Sequence, residues 1–428
     1  MARRTRSRQA GFLLLVNYVL ITFLLVWVAT GLRQSFVNHA ASERFADISA
    51  AFSAAESGLD AAHRWLRSQG SPPAGILPFD PFNGVVQLPG GQFQATIDPA
   101  DTNPATYLDE FTLTATGQAA GIWLSRRVSL LVRAESFARF SYFTNFERLA
   151  DGRAIWFTSR DVLTGPVHSN DRFNIAGSPT FNGPVTSAVG TINYQNPPPT
   201  GGNNPQFNGG LQLNAANITM PTSATTLRVA AQAAGGAYFT GNTTIVLQAN
   251  GTMLVTNPVL GWTNQVRALP ANGALFVTGG NLTVSGTLNG SLSMGTSEDL
   301  ILAGHVRYAD NPRVNPNSDD LLGLVAERNV IIPTTAPSNL FIDATMMAMN
   351  SSFTVADWWS TPVRGTLNVY GGIIQQRRGA VGTFDASTGL VTHGYIKNYA
   401  YDTRLVSMTP PHYPTSGLYR TLLWREEK

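Results

Sequence analysis

The feature that most constrains this chain is an uncharged apolar run of 21 residues, from Phe12 to Leu32. As a helix, a run of this length spans about 30 Å of hydrocarbon. Four basic residues precede the run, Arg3, Arg4, Arg6 and Arg8. Basic residues hold their end of a span in the cytoplasm. The sequence therefore predicts a single-pass membrane protein with residues 12–32 in the membrane and the rest of the chain outside.

A second helical pattern follows the span directly. From Gln34 to Ser68 the chain has no proline, a single glycine and many alanines, so its helix propensity is high. Apolar residues recur at steps of three and four, which places them on one helical face: Phe45, Ile48, Phe52, Ala55, Leu59, Ala62 and Leu66. We expect one helix over residues 12–68 whose outer half packs against another element. An ordinary amphipathic juxtamembrane helix would show the same spacing.

The remainder of the chain has the pattern of β-structure. Three runs alternate as strands do, Gln92 to Ile97, Phe111 to Thr116 and Ile122 to Val132. Between Phe173 and Ser297 the only charged residues are Arg228 and Arg267, and short apolar runs recur between glycine and asparagine turns. Such a pattern predicts a sandwich, a barrel or a β-solenoid. In a recurring pattern, an apolar triplet is followed by Gly-Asn and then by another apolar triplet. This pattern favours a solenoid of parallel coils.

Signals for catalysis, metals and cofactors are absent from the sequence. There are no cysteines, so the chain has neither disulfides nor thiolate metal ligands. The six histidines lack metal-binding spacing, and neither a G-x-S-x-G elbow nor a P-loop occurs. The oxygen-rich segment from Asn315 to Asp320 contains Pro316 and has no glutamate at the twelfth position of a calcium loop. We therefore expect no enzymatic activity, no cofactor and no metal.

One segment has the composition of a nucleic-acid-binding surface. Aromatic residues between Trp123 and Phe157 are interleaved with arginines, and Arg with exposed aromatics is what a groove for single-stranded nucleic acid requires. The candidate DNA-binding residues are Arg126, Arg127, Arg133, Arg139, Arg148, Arg153, Arg160 and Arg172, together with Arg377 and Arg378 in a glycine-flanked loop. In the alternative interpretation the aromatics form a core, and the arginines pair with Glu135, Glu147, Asp151 and Asp161.

The N-terminus resembles the leader of the type IV pilin family. As in that family, an arginine-rich segment is followed by a glycine, a phenylalanine and an apolar helix, here with Gly11 and Phe12 at the boundary. In the family, a prepilin peptidase cuts after the glycine and methylates the new N-terminal residue. The resemblance thus implies cleavage after Gly11 and N-methylation of Phe12. A chain that starts at Phe12 would have 25 basic and 26 acidic residues, so bulk attraction to DNA is not predicted. The alternative is a signal-anchored membrane protein that is never cut.

The sequence departs from the family at one position. Pilins usually carry a glutamate five residues into the mature chain, where this sequence has Val16 and its polar neighbour Asn17. In the family this glutamate neutralises the N-terminus of a neighbouring subunit during assembly. Some minor pilins lack it, among them PilX-like proteins and proteins expected at the pilus tip. The segment from Ala54 to Leu59 is also similar to the AAE-G-L segment of PilX-like minor pilins.

A further resemblance extends over most of the chain. Four segments are similar to a domain of uncharacterised function, DUF4900, that often follows PilX-like N-termini: 137–144, 165–171, 318–326 and 401–405. Large minor pilins of competence pili, in which a β-solenoid interrupts the pilin sheet, have a similar arrangement. The resemblance implies an α+β fold: a long N-terminal helix packed on an antiparallel pilin-type sheet, with a large all-β, solenoid-like insert.

These resemblances imply a division of the chain and a function. The predicted segments are a leader over 1–11, the helix over 12–68, a pilin-type sheet over 69–136, the insert over 137–398, and C-terminal strands over 399–428 that return to the sheet. The implied protein is a non-catalytic minor pilin that acts in pilus assembly and DNA uptake. Its partners would be other pilins, the inner-membrane assembly machinery, the prepilin peptidase and extracellular DNA. It would reside in the inner membrane before assembly and then at the pilus tip. The alternative function is that of a surface adhesin or pilus-priming subunit that does not bind DNA.

Overall fold

The computed structural model describes residues 5–69, 72–73, 77–99, 107–121, 123–199, 201–385 and 388–427. Arg3 and Arg4 of the predicted leader, and Ile122 at the start of a predicted strand, lie outside the described residues. A single long helix precedes a region that is almost entirely β-structure. The α+β prediction is therefore confirmed.

Helix α1 runs without a break from Thr5 to Ser68. At 1.5 Å per residue it is about 96 Å long. The helix is long and apolar enough to cross a membrane near its N-terminal end. The large apolar side chains from Phe12 to Val37 are exposed. This half of α1 thus presents an apolar surface along most of its circumference, as a membrane-spanning helix does.

The last turns of α1 pack on a sheet. Ala51, Ala55, Leu59 and Leu66 are buried there, at the spacing that places them on one helical face. Phe45, the first residue of the predicted apolar face, is 71% exposed, because the part of the helix that packs on the sheet begins about six residues later, at Ala51.

In the described part of the chain, thirty strands follow α1. The first four are β1 (Val86–Leu88), β2 (Gly91–Asp98), β3 (Glu110–Ala119) and β4 (Ser125–Ser136). The next ten are β5 (Tyr142–Phe146), β6 (Phe157–Thr158), β7 (Val162–Leu163), β8 (Val167–Ser169), β9 (Asn174–Ala176), β10 (Thr180–Phe181), β11 (Val185–Ser187), β12 (Asn193–Tyr194), β13 (Gln206–Phe207) and β14 (Leu211–Gln212). A short helix, α2 (Thr225–Gln232), comes after them.

Longer strands make up the second half. They begin with β15 (Ala237–Thr240), β16 (Thr243–Gln248), β17 (Thr252–Asn257), β18 (Trp262–Ala268), β19 (Ala274–Thr278), β20 (Leu282–Leu288), β21 (Ser291–Thr296) and β22 (Leu300–Tyr308). They continue with β23 (Leu321–Ala326), β24 (Val330–Ile332), β25 (Phe341–Ala348), β26 (Phe353–Val355), β27 (Val363–Arg377), β28 (Gly382–Phe384), β29 (Val391–Ala400) and β30 (Thr415–Glu427). Three 3₁₀ turns interrupt the series, Phe137–Arg139, Pro258–Leu260 and Thr403–Val406.

Strands from the two ends of the β-region form one antiparallel sheet. Its order is β1-β2-β3-β4-β30, so the C-terminal strand pairs with β4. Strands β2 and β3 alternate buried and less buried residues. The buried set, which includes Phe93, Ile97 and Leu113, packs with Leu59 and Leu66 of α1 in one apolar cluster. The strands predicted over residues 92–97 and 111–116 are thereby confirmed.

Gly117 lets α1 approach this sheet closely. A Cβ atom built on Gly117 would lie 2.1 Å from the Ala55 amide nitrogen and 2.3 Å from the Ala51 carbonyl oxygen. Both atoms belong to the helix backbone, which cannot give way as a side chain can. The helix therefore rests directly on the backbone of β3.

Residues between β4 and β30 form parallel ladders. One ladder has the order β15-β19-β21-β23-β25-β27-β5-β8-β11-β14, and every pair in it is parallel. A second parallel ladder has the order β16-β20-β22-β24-β26. The apolar side chains between the ladders form the largest buried cluster, which includes Ile245, Val284, Leu302 and Met346.

The chain enters the first ladder in its middle. It starts at β5, proceeds outward through β8, β11 and β14, and passes through α2 to the opposite end at β15. From there it returns strand by strand to β27, which pairs with β5. Phe143 and Ile374 are register partners in that pair. We call each pass of the chain through the ladders a coil. The first coil, which contains β5, and the last coil, which contains β27, therefore lie side by side, close to the point where the chain leaves for β30.

Candidate nucleic-acid interface

Three of the ten candidate arginines lie on the antiparallel sheet. Each pairs with a glutamate on a neighbouring strand: Arg126 with Glu426 (3.5 Å), Arg127 with Glu427 (2.9 Å) and Arg133 with Glu110 (2.5 Å). These ion pairs cross between strands and neutralise the arginines in place. These three arginines therefore do not form one continuous positive surface with the arginines that lie between β4 and β30.

Three other candidates meet at the end of β5. The guanidinium carbons of Arg377 and Arg148 lie 4.6 and 5.4 Å from the centre of the Phe146 ring. Arg148 Nε is 3.4 Å from Asp171 Oδ2, and the exposed Arg172 follows Asp171 directly. We name Phe146, Arg148, Arg172 and Arg377 the Phe146 cluster. It brings two predicted arginines from distant parts of the chain, Arg148 and Arg377, against the same aromatic ring.

Two candidates form local ion pairs. Arg139 pairs with Glu135 and lies 5.3 Å from the Phe140 ring centre. Arg153 pairs with Asp151 at 2.7 Å, two residues away. The alternative interpretation predicted carboxylate partners of this kind. These two arginines are thus held by short-range contacts near the surface.

Arg378 is not the exposed residue that its glycine-flanked position predicted. Its side chain is 5% exposed, and its Nη1 donates to Glu147 Oε2 at 2.8 Å. The guanidinium lies 3.7 Å from the centre of the Phe157 ring, and it also donates to the Ile155 carbonyl oxygen at 3.2 Å. The prediction of exposure is wrong because Arg378 directly follows β27, which pairs with β5. This pairing places Arg378 beside the buried carboxylate of Glu147, which directly follows β5.

Most of the interleaved aromatics are in the core. Phe137, Phe140, Tyr142, Phe143 and Phe157 are buried. Their rings contact one another edge-on or tilted at centroid distances from 5.0 to 6.4 Å. Burial therefore accounts for them, as the alternative interpretation proposed. Trp123, in contrast, is 96% exposed beyond the end of β3.

Lys397 was not singled out from the sequence, although it is one of only two lysines. On β29 it forms an ion pair with the buried Asp161. Burial lowers the pKa of Lys397, nearby Arg378 lowers it further, and Asp161 opposes both. Burial also raises the pKa of Glu147, against the effect of Arg378. Two adjacent ion pairs, Arg378–Glu147 and Lys397–Asp161, therefore lie at the junction of the first and last coils.

Two neighbouring cavities open beside these ion pairs, with volumes of about 80 and 240 Å³. Both are lined by the same six residues, Tyr142, Arg160, Asp161, Arg378, Lys397 and Tyr399. The larger cavity also touches Val162 and Leu163 of β7 and Asn398 of β29. It therefore lies where the last coil meets the first, and we name it the seam cavity.

His168 lies in a packed corner. Its ring stacks on Phe143 at 5.2 Å, and its two nitrogens contact Thr186 Oγ1 (2.7 Å) and Asn170 Oδ1 (2.9 Å). Burial lowers the pKa of His168. These contacts place His168 and Asn170 in a hydrogen-bonded corner. Among the residues that the structure describes, no group of three or more His, Cys, Asp or Glu side chains is placed to hold a metal.

The four segments that resemble DUF4900 meet in space. Tyr401 Oη donates to the Arg139 carbonyl oxygen at 2.8 Å, which connects the last segment with the first. Arg404 donates to the carbonyl oxygens of Ser318 (2.7 Å) and Asp320 (2.9 Å), which connects it with the third. Strands β5 and β8 pair the first segment with the second. The motifs therefore mark the junction that holds the insert together.

Comparison with protein families gives one match, to the family described as Domain of unknown function (DUF4900), over residues 106–189. Residues 106–189 form a DUF4900 region. No curated protein matches the chain. Among solved structures, the chain is similar to the crystal structure of the competence-associated pilin ComZ from Thermus thermophilus. The identity is 13%, the TM-score is 0.32, and 89% of this chain and 97% of that chain are covered.

The DUF4900 region begins just before β3 and ends just after β11. It contains eight of the ten candidate arginines, all except Arg377 and Arg378. Both of those lie at the end of β27 or just beyond it, beside β5 of the region. The Phe146 cluster and the seam cavity thus combine the DUF4900 region with the last coil of the insert.

Proposed function

We propose that this protein is a non-catalytic minor type IV pilin that acts in pilus assembly and in DNA uptake. The observation that carries the proposal is the arrangement of α1. Its first half is apolar and exposed, and its second half packs on an antiparallel sheet that β30 completes from the far end of the chain. This arrangement of the helix is evidence that residues 12–32 insert into a membrane and later into a filament.

In this proposal the antiparallel sheet is the pilin-type sheet and the parallel ladders form a β-solenoid inserted between β4 and β30. The predicted division into leader, helix, sheet, insert and C-terminal strands is part of the same proposal. The leader would be removed after Gly11 by a prepilin peptidase, and Phe12 would be methylated. Val16, in place of the usual glutamate, supports a position at the pilus tip, where no further subunit needs that carboxylate.

Participation in DNA uptake is supported by the Phe146 cluster. Arg148 and Arg377 lie against one aromatic ring, and the exposed Arg172 follows Asp171, the ion-pair partner of Arg148. Single-stranded nucleic acid is bound by cations that follow the backbone and by rings on which bases stack. Arg172 is exposed, and within the described part of the chain it has no ion-pair partner. Extracellular DNA would therefore contact the middle of the first ladder, at the C-terminal end of strand β5.

The experiment that tests the proposal is natural transformation in a strain with a clean in-frame deletion of the gene. We expect transformants to fall by several orders of magnitude while filaments are still made, with recovery on expression of the full chain. Complementation with a variant that carries Arg148→Gln, Arg172→Gln and Arg377→Gln would then separate DNA contact from assembly. Unchanged transformation in the deletion strain would refute the role in DNA uptake.

A second candidate function is that of an adhesin or of a priming subunit. Trp359 is 58% exposed and lies edge-on to Trp358 at a ring-centre distance of 5.5 Å. Exposed tryptophans are enriched at interaction surfaces. Loss of surface attachment on deletion, with transformation unchanged, would favour this function. Loss of filaments on deletion would favour a priming role.

A further inference from the structure

The seam cavity has more hydrogen-bond donors than acceptors. We propose that it is a binding site for a phosphate-type oxyanion, held chiefly by Arg160 and Lys397. The proposal does not depend on the role in DNA uptake, because both free phosphate and a phosphate ester present the oxygens that these side chains would bind.

Both carboxylates at the seam are already engaged. Asp161 Oδ2 accepts from the Thr158 amide at 2.6 Å and from Thr158 Oγ1 at 3.2 Å, and its Oδ1 faces Lys397 Nζ. Glu147 Oε2 accepts from Arg378 at 2.8 Å, and its Oε1 accepts from Thr144 Oγ1. These contacts use the oxygens that would otherwise repel an anion or attract a cation.

Donors remain available on the cations. An ammonium group has three N–H donors and a guanidinium has five. The Lys397 ammonium group forms one ion pair among the described residues, with Asp161, so two of its donors are free. Arg160 lines both cavities, is exposed, and forms no hydrogen bond or ion pair within the part of the chain that the structure describes. An acceptor-rich ligand would satisfy both side chains at once.

Two phenols can add to this donor set. Tyr142 and Tyr399 line both cavities, and burial raises the pKa of each of them. Both therefore keep their protons at neutral pH. Tyr142 Oη accepts from Gln375 Nε2 at 3.4 Å, which leaves its own proton available. A tetrahedral oxyanion can accept from several such donors because each of its oxygens has free lone pairs.

The size of the cavity fits a small anion with a short substituent. Its volume is about 240 Å³, whereas one water occupies about 30 Å³ of the liquid. Besides the polar groups, the apolar residues Val162, Leu163 and Ala400 line the cavity. The cavity can therefore hold inorganic phosphate or the phosphate end of a nucleotide with part of its sugar.

The proposal can be tested on the full chain in detergent micelles. Binding of inorganic phosphate would be measured by the broadening of its ³¹P resonance at constant ionic strength, for the wild type, Arg160→Gln and Arg64→Gln. Arg64→Gln is the matched control, because it removes the same charge from an exposed arginine of α1 that lines neither cavity and does not belong to the Phe146 cluster. Competition with a short oligodeoxynucleotide would then identify the source of the anion.

We expect the wild type and Arg64→Gln to bind phosphate equally and Arg160→Gln to bind it about tenfold more weakly, since a charge-assisted contact is lost. Displacement of phosphate by the oligonucleotide would support the site and identify nucleic acid as a ligand. Binding that depends on Arg160 but is not displaced would support the site with a free anion as its ligand. Absence of phosphate binding, or equal binding by all three proteins, would overturn the proposal. Neither result would bear on transformation, which tests DNA uptake separately.

Discussion

Arg378 Nη1 lies 2.8 Å from Glu147 Oε2 although 231 residues separate the two along the chain. Both side chains are almost fully buried, at 5% and 0% exposure. The pair joins the residue after β27 to the residue after β5, so it connects a late part of the parallel ladders with their first strand. Its energetic importance comes from burial, because a buried charge that loses its partner is far more costly than the intact pair is favourable.

Substitution of Arg378 by methionine should therefore lower the free energy of unfolding by about 3–5 kcal/mol, since Glu147 would remain buried without a cation. Urea unfolding of the full chain in detergent, followed by tryptophan fluorescence, would measure the loss. The double variant Arg378→Met/Glu147→Gln should recover part of the stability. Arg377→Met, at the adjacent half-buried position, is the control and should change stability by less than about 1 kcal/mol. An equal loss in both single variants would contradict the importance of the buried pair.

Gly117→Ala should detach α1 from the sheet. The added methyl group would lie within 2.1–2.3 Å of helix backbone atoms at Ala55 and Ala51, so helix and strand must separate. Overpacking of this kind typically costs about 1–3 kcal/mol. Limited proteolysis near residues 51–66 and urea unfolding would detect the change.

Gly121→Ala is a suitable comparison for Gly117→Ala. Gly121 has a positive φ of 73° in the turn after β3, but a Cβ there would meet no atom within 4 Å. Its substitution should cost about 1 kcal/mol through backbone strain alone and should leave α1 protected from proteases. Equal proteolysis of the two variants would argue against the close approach at Gly117.

Asp109 should make stability depend on pH. Burial raises its pKa from 3.8 to about 6. The folded state therefore binds this proton more tightly than the unfolded state does, and stability should rise as the pH falls from above 6 towards 4. Asp109→Asn should stabilise the protein at pH 7.5 by about 1–2 kcal/mol and remove this part of the pH dependence. Urea unfolding between pH 4.5 and 7.5 would measure both effects.

Glu56→Gln on the exposed face of α1 is the control for Asp109→Asn, since it removes one carboxylate charge from a solvated position. It should leave the pH profile between 4.5 and 7.5 unchanged. A profile that is the same for the wild type and Asp109→Asn would show that another group is responsible.

Processing of the N-terminus can be tested by mass spectrometry of the protein from isolated pili. The proposal predicts an N-terminal peptide that begins with N-methylated Phe12. Substitution Gly11→Val should block cleavage and keep the chain in the inner membrane, with the leader still attached. Gly31→Val, near the far end of the span, serves as the control and should be processed normally. Intact leader on wild-type protein in the filament would contradict the proposal.

DNA binding by the Phe146 cluster should show a characteristic salt dependence. Each phosphate contact of a single strand contributes about 0.7 to the slope of log affinity against log salt. The triple variant Arg148→Gln/Arg172→Gln/Arg377→Gln should therefore reduce the slope by up to about 2 and weaken binding at low salt. Fluorescence anisotropy with labelled single-stranded DNA would measure this. Arg153→Gln, whose partner is the neighbouring Asp151, is the control and should retain the wild-type slope.

Much of the local structure was predictable from the sequence. The long helix up to Ser68, two strands of the antiparallel sheet, and the DUF4900 resemblance over 137–144 and 165–171 all agree with the structure or with the family match. Each of these signals is local. Apolar residues recur at every second position in a strand and at every third or fourth position in a helix, and the other signals are turn residues and contiguous motifs. Such patterns depend on neighbours in the chain and are therefore visible in the sequence.

The candidate site was predictable only in part. Arg148 and Arg172 were identified, and Arg377 was noted as a separate loop, but their meeting around Phe146 depends on the pairing of β27 with β5. Arg378 was expected to be exposed because it lies between polar and glycine residues. Lys397 and Asp161 showed no shared pattern, since their positions are 236 residues apart in the sequence. Only the scarcity of lysine in this chain could have drawn attention to Lys397.

The sequence by itself therefore determined the apolar span, the amphipathic helix beyond it and the β-character of the rest. These properties follow from side-chain periodicity and backbone preferences over a few residues. The tertiary structure alone decided that the chain enters its ladders in the middle, so that β5 and β27 become neighbours and Arg378 is buried against Glu147. Strand pairing gains its hydrogen bonds and its buried apolar area from partners hundreds of residues apart, and no local repeat specifies which strands those partners will be.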